Sequence, residues 1–156
     1  MAEAVETWSW GELFELDLPV DWEVQDHGDA IEICPVAGVG GIQLATLDAP
    51  EDEAPTALVA RLVERFAATR GAAGPHPTAV EREPTGLTRA RLRFDADDGH
   101  WLACAVTWHR VAVFVTAFAR AEDARMLLVA EGLFDGLRPR DLPAAADLPP
   151  DAPGDF

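Results

Sequence analysis

The sequence predicts an α+β fold, an antiparallel sheet of about six to seven strands flanked by helices. Three observations carry that reading. Residues 87–118 contain three consecutive strand-like runs separated by two short turn candidates. Two stretches, 55–70 and 122–136, repeat apolar residues at helical spacing. The chain ahead of the first helical stretch holds short alternating runs broken by Pro and Gly.

The first run of the meander sets Ala90, Leu92 and Phe94 against Arg89, Arg91 and Arg93, the period-2 signature of a strand. Asp95 to Gly99 is turn chemistry. The second run places Leu102, Cys104, Val106 and Trp108 on one side and Trp101, Ala103, Ala105 and Thr107 on the other. The third opposes Val111, Val113 and Val115 to Phe114, Thr116 and Phe118. Strands apolar on both faces are covered on both sides, which places these two centrally. A loop over 95–99 sets Phe94 opposite His100 and Arg93 opposite Trp101. A turn at His109-Arg110, a poor pair for a tight hairpin, sets Trp108 opposite Val111 and Trp101 opposite Phe118. In that register Ala90 and Leu92 join Leu102, Cys104, Val106 and the valines as core. The other face combines Trp101, Phe114 and Phe118, a small floor of Ala103, Ala105 and Ala112, and an arginine edge. Arg89, Arg91, Arg93, Trp101, Phe114 and Phe118 are therefore the candidate partner-binding face. Two readings stay open: a helix packs there with the arginines snorkelling at its border, or the face is a partly open groove.

The other elements follow in order. Trp8, Trp10, Phe14, Leu16 and Leu18 alternate through residues 7–17, an opening strand stopped by Pro19. Trp22 and Val24 lead to a turn at His27 to Asp29, and Ile31 and Ile33 mark a second strand ending at Pro35. AGVGG at 37–41 lacks phosphate-loop spacing and reads as a hairpin link into a third strand of Ile42, Leu44 and Thr46. Glu51 to Glu53 and Pro55 open a helix whose stripe is Leu58, Val59, Leu62, Val63 and Phe66, closed by Gly71. A loop holding His76 and a short strand over 78–83 precede the meander. Glu122 and Asp123 open the second helix, with Met126, Leu127, Ala130, Leu133, Phe134 and Leu137 apolar, ending near Gly136. Residues 1–139 are expected to form a single domain. Residues 140–156, Pro-rich and acidic, are expected to be a loosely ordered or draped tail.

Composition narrows the function. The 156 residues suit one domain. No apolar run approaches the roughly 18 residues of a membrane span, and the acidic N-terminus lacks a basic leader region, so the expected location is the cytoplasm. Cys34 and Cys104 sit in apolar strand patterns and are expected to be buried free thiols. The twelve basic residues are all Arg, against 28 acidic ones, for a net charge of −16. That charge excludes nucleic acid and anionic membrane as partners. It leaves a protein partner, either basic or carrying an apolar helix, and it leaves a homodimer open. Ser9 is the only serine and has no nucleophile elbow around it. Asp95, Asp97, Asp98 and His100 read as solvated turn groups rather than a cation site. No catalytic residue, metal ligand or cofactor is predicted.

Phe14, Leu16, Leu18-Pro19 and Trp22 in FELDLPVDWEV, together with Gly136 to Pro139 after the last helix, resemble the signature positions of the PsbP/DcrB-like superfamily. The order β-β-β-α-(β)-β-β-β-α resembles it too, over residues 7–139. The resemblance implies an α/β/α sandwich. Its members include photosystem extrinsic subunits, a nuclear-transport factor, envelope lipoproteins and the Eag chaperones of type VI secretion effectors, and it brings no catalytic residues. It implies a non-enzymatic protein-binding module, a small cytosolic chaperone or adaptor for a secreted effector. Two alternatives remain beside it. One is an acidic immunity-type inhibitor of a basic toxin acting through Glu51, Asp52 and Glu53. The other is a small-ligand carrier with a cavity between sheet and helix.

Overall fold

The structure, a computed structural model, describes residues 5–10, 14–28, 30–35, 41–72, 78–120 and 125–141. In chain order the elements are β1 (Val5–Trp10), β2 (Phe14–Pro19), β3 (Trp22–Asp26), β4 (Ala30–Pro35), β5 (Ile42–Asp48), α1 (Pro55–Thr69), β6 (Ala79–Arg82), β7 (Thr88–Ala96), β8 (Gly99–Trp108), β9 (Val111–Ala119), α2 (Arg125–Gly136) and β10 (Arg138–Pro139). A seven-stranded sheet runs β3-β4-β5-β9-β8-β7-β6, and a three-stranded sheet runs β1-β2-β10. Every pairing among these strands is antiparallel. This is the predicted α+β architecture, with helices on both faces of the large sheet. His76, the start of the second helix at Glu122 and Asp123, the glycine link at 36–40 and the tail beyond 141 lie outside the described residues.

Why β9 sits in the middle follows from the path of the chain. The hairpins β3-β4-β5 build one half of the sheet. The chain then crosses over one face as α1, reaches the far edge at β6, and walks back through β7 and β8 until β9 closes against β5. Leu102 to Val106 are all fully buried, as a strand covered on both faces requires.

The opening run is two strands rather than one. Trp10 pairs with Phe14, so three intervening residues keep even-numbered positions inward on both arms and the alternation looks continuous. The approach to His27 is also a strand, β3, because Trp22 and Val24 pack onto the core from the edge.

The meander follows the predicted order, with one correction of register. Trp108 pairs with Val111 and Trp101 with Phe118, as read from the sequence. His109 takes φ 55° to make that tight turn, an uncommon angle for a residue with a Cβ. At the other turn only Asp97 and Asp98 lie outside the ladder, since Ala96 pairs with Gly99. Phe94 therefore faces Trp101, and Arg93 faces Leu102. A one-residue slip turns every side chain of a strand to the other face. Ala90, Leu92 and Phe94 thus lie with Trp101, Ala103 and Ala105, while Arg89, Arg91 and Arg93 lie with Leu102, Cys104 and Val106. Gly99 permits the short turn: a Cβ there would sit 2.7 Å from the Ala119 carbonyl oxygen and 2.8 Å from the Phe118 ring.

Two cores result. On one face Leu58, Val59, Val63 and Ala67 of α1 pack on Ala90, Leu92, Phe94, Ala103 and Ala105. On the other, α2 and the three-stranded sheet close over Ile31, Ile33, Ile42, Leu44, Leu102, Cys104, Val113 and Val115. Cys104 is buried there, and burial pushes its thiol up to about 12. Cys34 is only half-buried, which corrects the expectation of two buried thiols. No helix among the described residues is long and apolar enough to cross a membrane.

Candidate functional site

The six residues read as one face divide between two. The arginines belong to the α2 side, where each finds a partner on that helix. Arg89 donates through Nη1 to the Phe134 carbonyl at 2.6 Å and through Nη2 to the Leu137 carbonyl at 2.7 Å. Arg91 pairs with Asp135 at 2.5 Å, and Arg93 Nε with Glu131 at 2.8 Å. Positions 131 and 135 are one helical turn apart, so alternate residues of β7 meet successive turns of α2. Arg89 and Arg91 also lie over the Phe134 ring, 5.3 and 5.5 Å from its centroid. This ladder holds a helix, and Arg93 stands opposite Leu102 rather than Trp101.

Trp101, Phe114 and Phe118 stay on the α1 side and are half-buried there. An α-helix is about 10–12 Å across and strands are spaced about 4.8 Å, so one helix covers two to three strands. α1 covers β7, β8 and β6. The same face of β9, β5 and β4 carries Phe114, Thr116, Phe118, Gln43, Ala45, Ala30 and Glu32, and neither described helix lies over it. A groove runs between α1 and these strands. Among the described residues, α1 packs on the alanines, and the aromatics border a strip that neither helix covers.

Phe66 forms the wall. Its ring makes edge contacts with Phe94, Trp101 and Phe114 at centroid distances of 6.1, 5.5 and 5.5 Å. Trp101 leans on Phe118 at 4.8 Å and donates its indole N–H to Asp98 Oδ1 at 3.0 Å. One helical turn on, Arg70 lies at the end of α1 with its guanidinium 4.8 Å from the Trp101 centroid and 5.1 Å from that of Phe66. Two adjoining cavities of about 310 and 410 Å³ share Glu32, Gln43, Phe66 and Thr116. The first reaches His27, Ala45 and Phe114, and the second reaches Arg70, Trp101 and Phe118. Glu32 accepts from the Cys34 thiol at 3.1 Å, and partial burial with that carboxylate nearby pushes Cys34 up to about 11. Phe66, Arg70, Gln43 and Glu32 line these cavities and are not among the sequence candidates. Phe66 and Arg70 stand four apart on one helix, a spacing that puts them on one rim.

The acidic run behaves differently. Glu53 takes both ends of the Arg61 guanidinium, at 2.8 and 2.7 Å, and Glu51 pairs with Arg110. Of the turn groups at the far end of β7, Asp95 bonds the His100 ring at 2.5 Å while Asp98 is taken by Trp101. Nowhere among the described residues do three or more His, Cys, Asp or Glu side chains gather as a metal site would require.

No family model and no curated protein matches the chain. Among solved structures it is similar to cyanobacterial PsbP (CyanoP) from Synechocystis sp. PCC 6803, with a TM-score of 0.66 and 13% identity over 89% of this chain and 94% of that one. A protein from Bacteroides thetaiotaomicron VPI-5482 overlaps with a TM-score of 0.46 and 12% identity, over 82% of this chain and 45% of that one. At such identities the likeness is one of fold, and the fold of this chain is PsbP-like.

Proposed function

We propose that this chain is a non-enzymatic protein-binding module that holds an apolar segment of a protein partner in the groove beside α1. The observation that carries the reading is the half-covered sheet face. α1 occupies one side of it, and the remaining strip over β9, β5 and β4 is about one helix wide and walled by Phe66, Trp101, Phe114 and Phe118. Apolar ring edges next to main-chain-sized hydrogen-bonding groups such as Gln43 and Thr116 suit a polypeptide segment. In its narrower form the module is a small chaperone or adaptor that keeps the apolar segment of an effector out of water until delivery. The acidic inhibitor draws less support, because Glu51 and Glu53 already pair with arginines of the same chain.

The test is a pull-down from the host with the wild-type chain and with a Gln43→Arg, Ala45→Arg double variant that fills the strip. A stoichiometric protein partner retained by wild type and by Leu128→Arg, on the exposed side of α2, but lost by the double variant is the expected result. Recovery of the same partner by the filled groove, or of no stoichiometric partner by wild type, overturns the reading.

A further inference from the structure

We propose that the Arg70 end of the groove takes the free C-terminus of the bound segment, with an apolar last side chain. This rests on the protein-binding reading and specifies which part of the partner is read. Arg61, Arg91, Arg93, Arg110 and Arg138 each hold a carboxylate of the chain. Arg70 is exposed, its backbone N–H closes α1, and its guanidinium lies over the rings of Trp101 and Phe66. A guanidinium is a planar fork of N–H donors, able to grip a carboxylate through two bonds. In a chain of net charge −16, this sets a cation in a cavity of mixed lining, beside the rings of Trp101, Phe118 and Phe66.

The pocket and the fork lie together. Trp101, Phe118 and Phe66 line the same cavity of about 410 Å³ as Arg70, so one residue bearing both an apolar side chain and a carboxylate satisfies both. The last residue of a polypeptide has that combination, whereas an internal Asp or Glu has the carboxylate without the apolar body. The adjoining cavity of about 310 Å³ gives the preceding residues a path past Gln43 and Thr116, which a free small acid would leave empty. Glu32 borders both cavities and disfavours a second negative charge on the segment.

Calorimetric titration of the full chain with the tetrapeptide acetyl-Ala-Ala-Leu-Phe, as free acid and as C-terminal amide, tests the inference. The acid is expected to bind at least about tenfold tighter than the amide, as a hydrogen bond to a charged group allows. Arg70→Ala is expected to abolish that difference, and Arg70→Lys to keep part of it. Glu32→Gln should tighten the acid by more than it changes the amide. Equal affinity for acid and amide overturns the chain-end reading and leaves groove binding standing. Binding of neither peptide, or tighter binding of decanoate than of the acid peptide, also overturns it; the groove itself is judged by the filled double variant. Circular dichroism of each variant separates a lost contact from a lost fold.

Discussion

Arg89 shows how much one side chain contributes when it bridges two carbonyls at the end of a helix. The carbonyls of Phe134, in the last turn of α2, and of Leu137, just beyond it, lie where helical carbonyls run short of intrahelical donors, and Phe134 accepts besides only a 3.2 Å turn bond from the Leu137 N–H. Arg89 satisfies both, and burial draws its pKa down from the ordinary arginine value, so the charge is held by those two oxygens and by more distant carboxylates. Arg93 makes one bond to Glu131 from a side chain that is half exposed. Arg89→Ala is therefore expected to destabilise the protein by about 1.5–3 kcal/mol, and Arg93→Ala by under about 1 kcal/mol. Urea unfolding of the two variants checks the order, and equal losses would contradict the carbonyl-capping role. Neither substitution is expected to alter binding in the groove, since the whole ladder is on the opposite face of the sheet. In the sequence these arginines looked like a groove rim because DADDG reads as loop throughout. Asp95 and Ala96 instead extend the ladder, and no residue-level signal separates an acidic turn from an acidic strand end.

At the scale of elements, the three-stranded sheet is fastened through β10 and β2. Arg138 reaches Glu15 at 2.9 Å, Asp17 at 3.3 Å and the Gly136 carbonyl at 2.7 Å. The hydrogen bond from Arg138 holds the Asp17 carboxyl below its ordinary value of 3.8. A carboxyl with a depressed pKa in the folded state contributes stability that is complete above its unfolded value, and loses it as pH falls through the folded one. Stability should therefore decline below about pH 4, and Asp17→Asn should flatten that part of the profile. Denaturant midpoints measured from neutral pH downward decide it, and an unchanged slope in the variant would remove Asp17 from the account. Much of this level was legible: the helical stripes, the meander order and the C-cap at Gly71, which takes φ 73°, all appear where periodicity and capping placed them. The extra strands were not. β1 and β2 share one parity across their connection, and β10 is two residues long, below the length at which alternation carries information.

The whole molecule is unequal on its two faces. Around α2 the core is closed by β2, β8 and β9 and bordered by the arginine ladder. α1 buries Leu58, Val59, Val63 and Ala67 along one side only. Its outer rim of Phe66 and Arg70 faces the groove, and its Arg61–Glu53 pair is a surface contact of small net effect. Local stability follows buried apolar contact, and elements with an open flank unfold in smaller units than the core. The floor deepens the inequality, because Ala103 and Ala105 let the helix approach closely but give it little side-chain area to grip. Amides of α1 are accordingly expected to exchange through a sub-global opening, at lower free energy than those of β8, β9 and α2. Native-state hydrogen exchange across low denaturant concentrations resolves the two classes. A segment bound against Phe66 adds the missing flank, so a saturating groove ligand should raise protection in α1 selectively, by the linkage between binding and opening. If α1 and β8 merge into one global isotherm without ligand, the open flank costs the helix nothing, and the groove is a rigid feature of the sandwich rather than a place where a partner completes it.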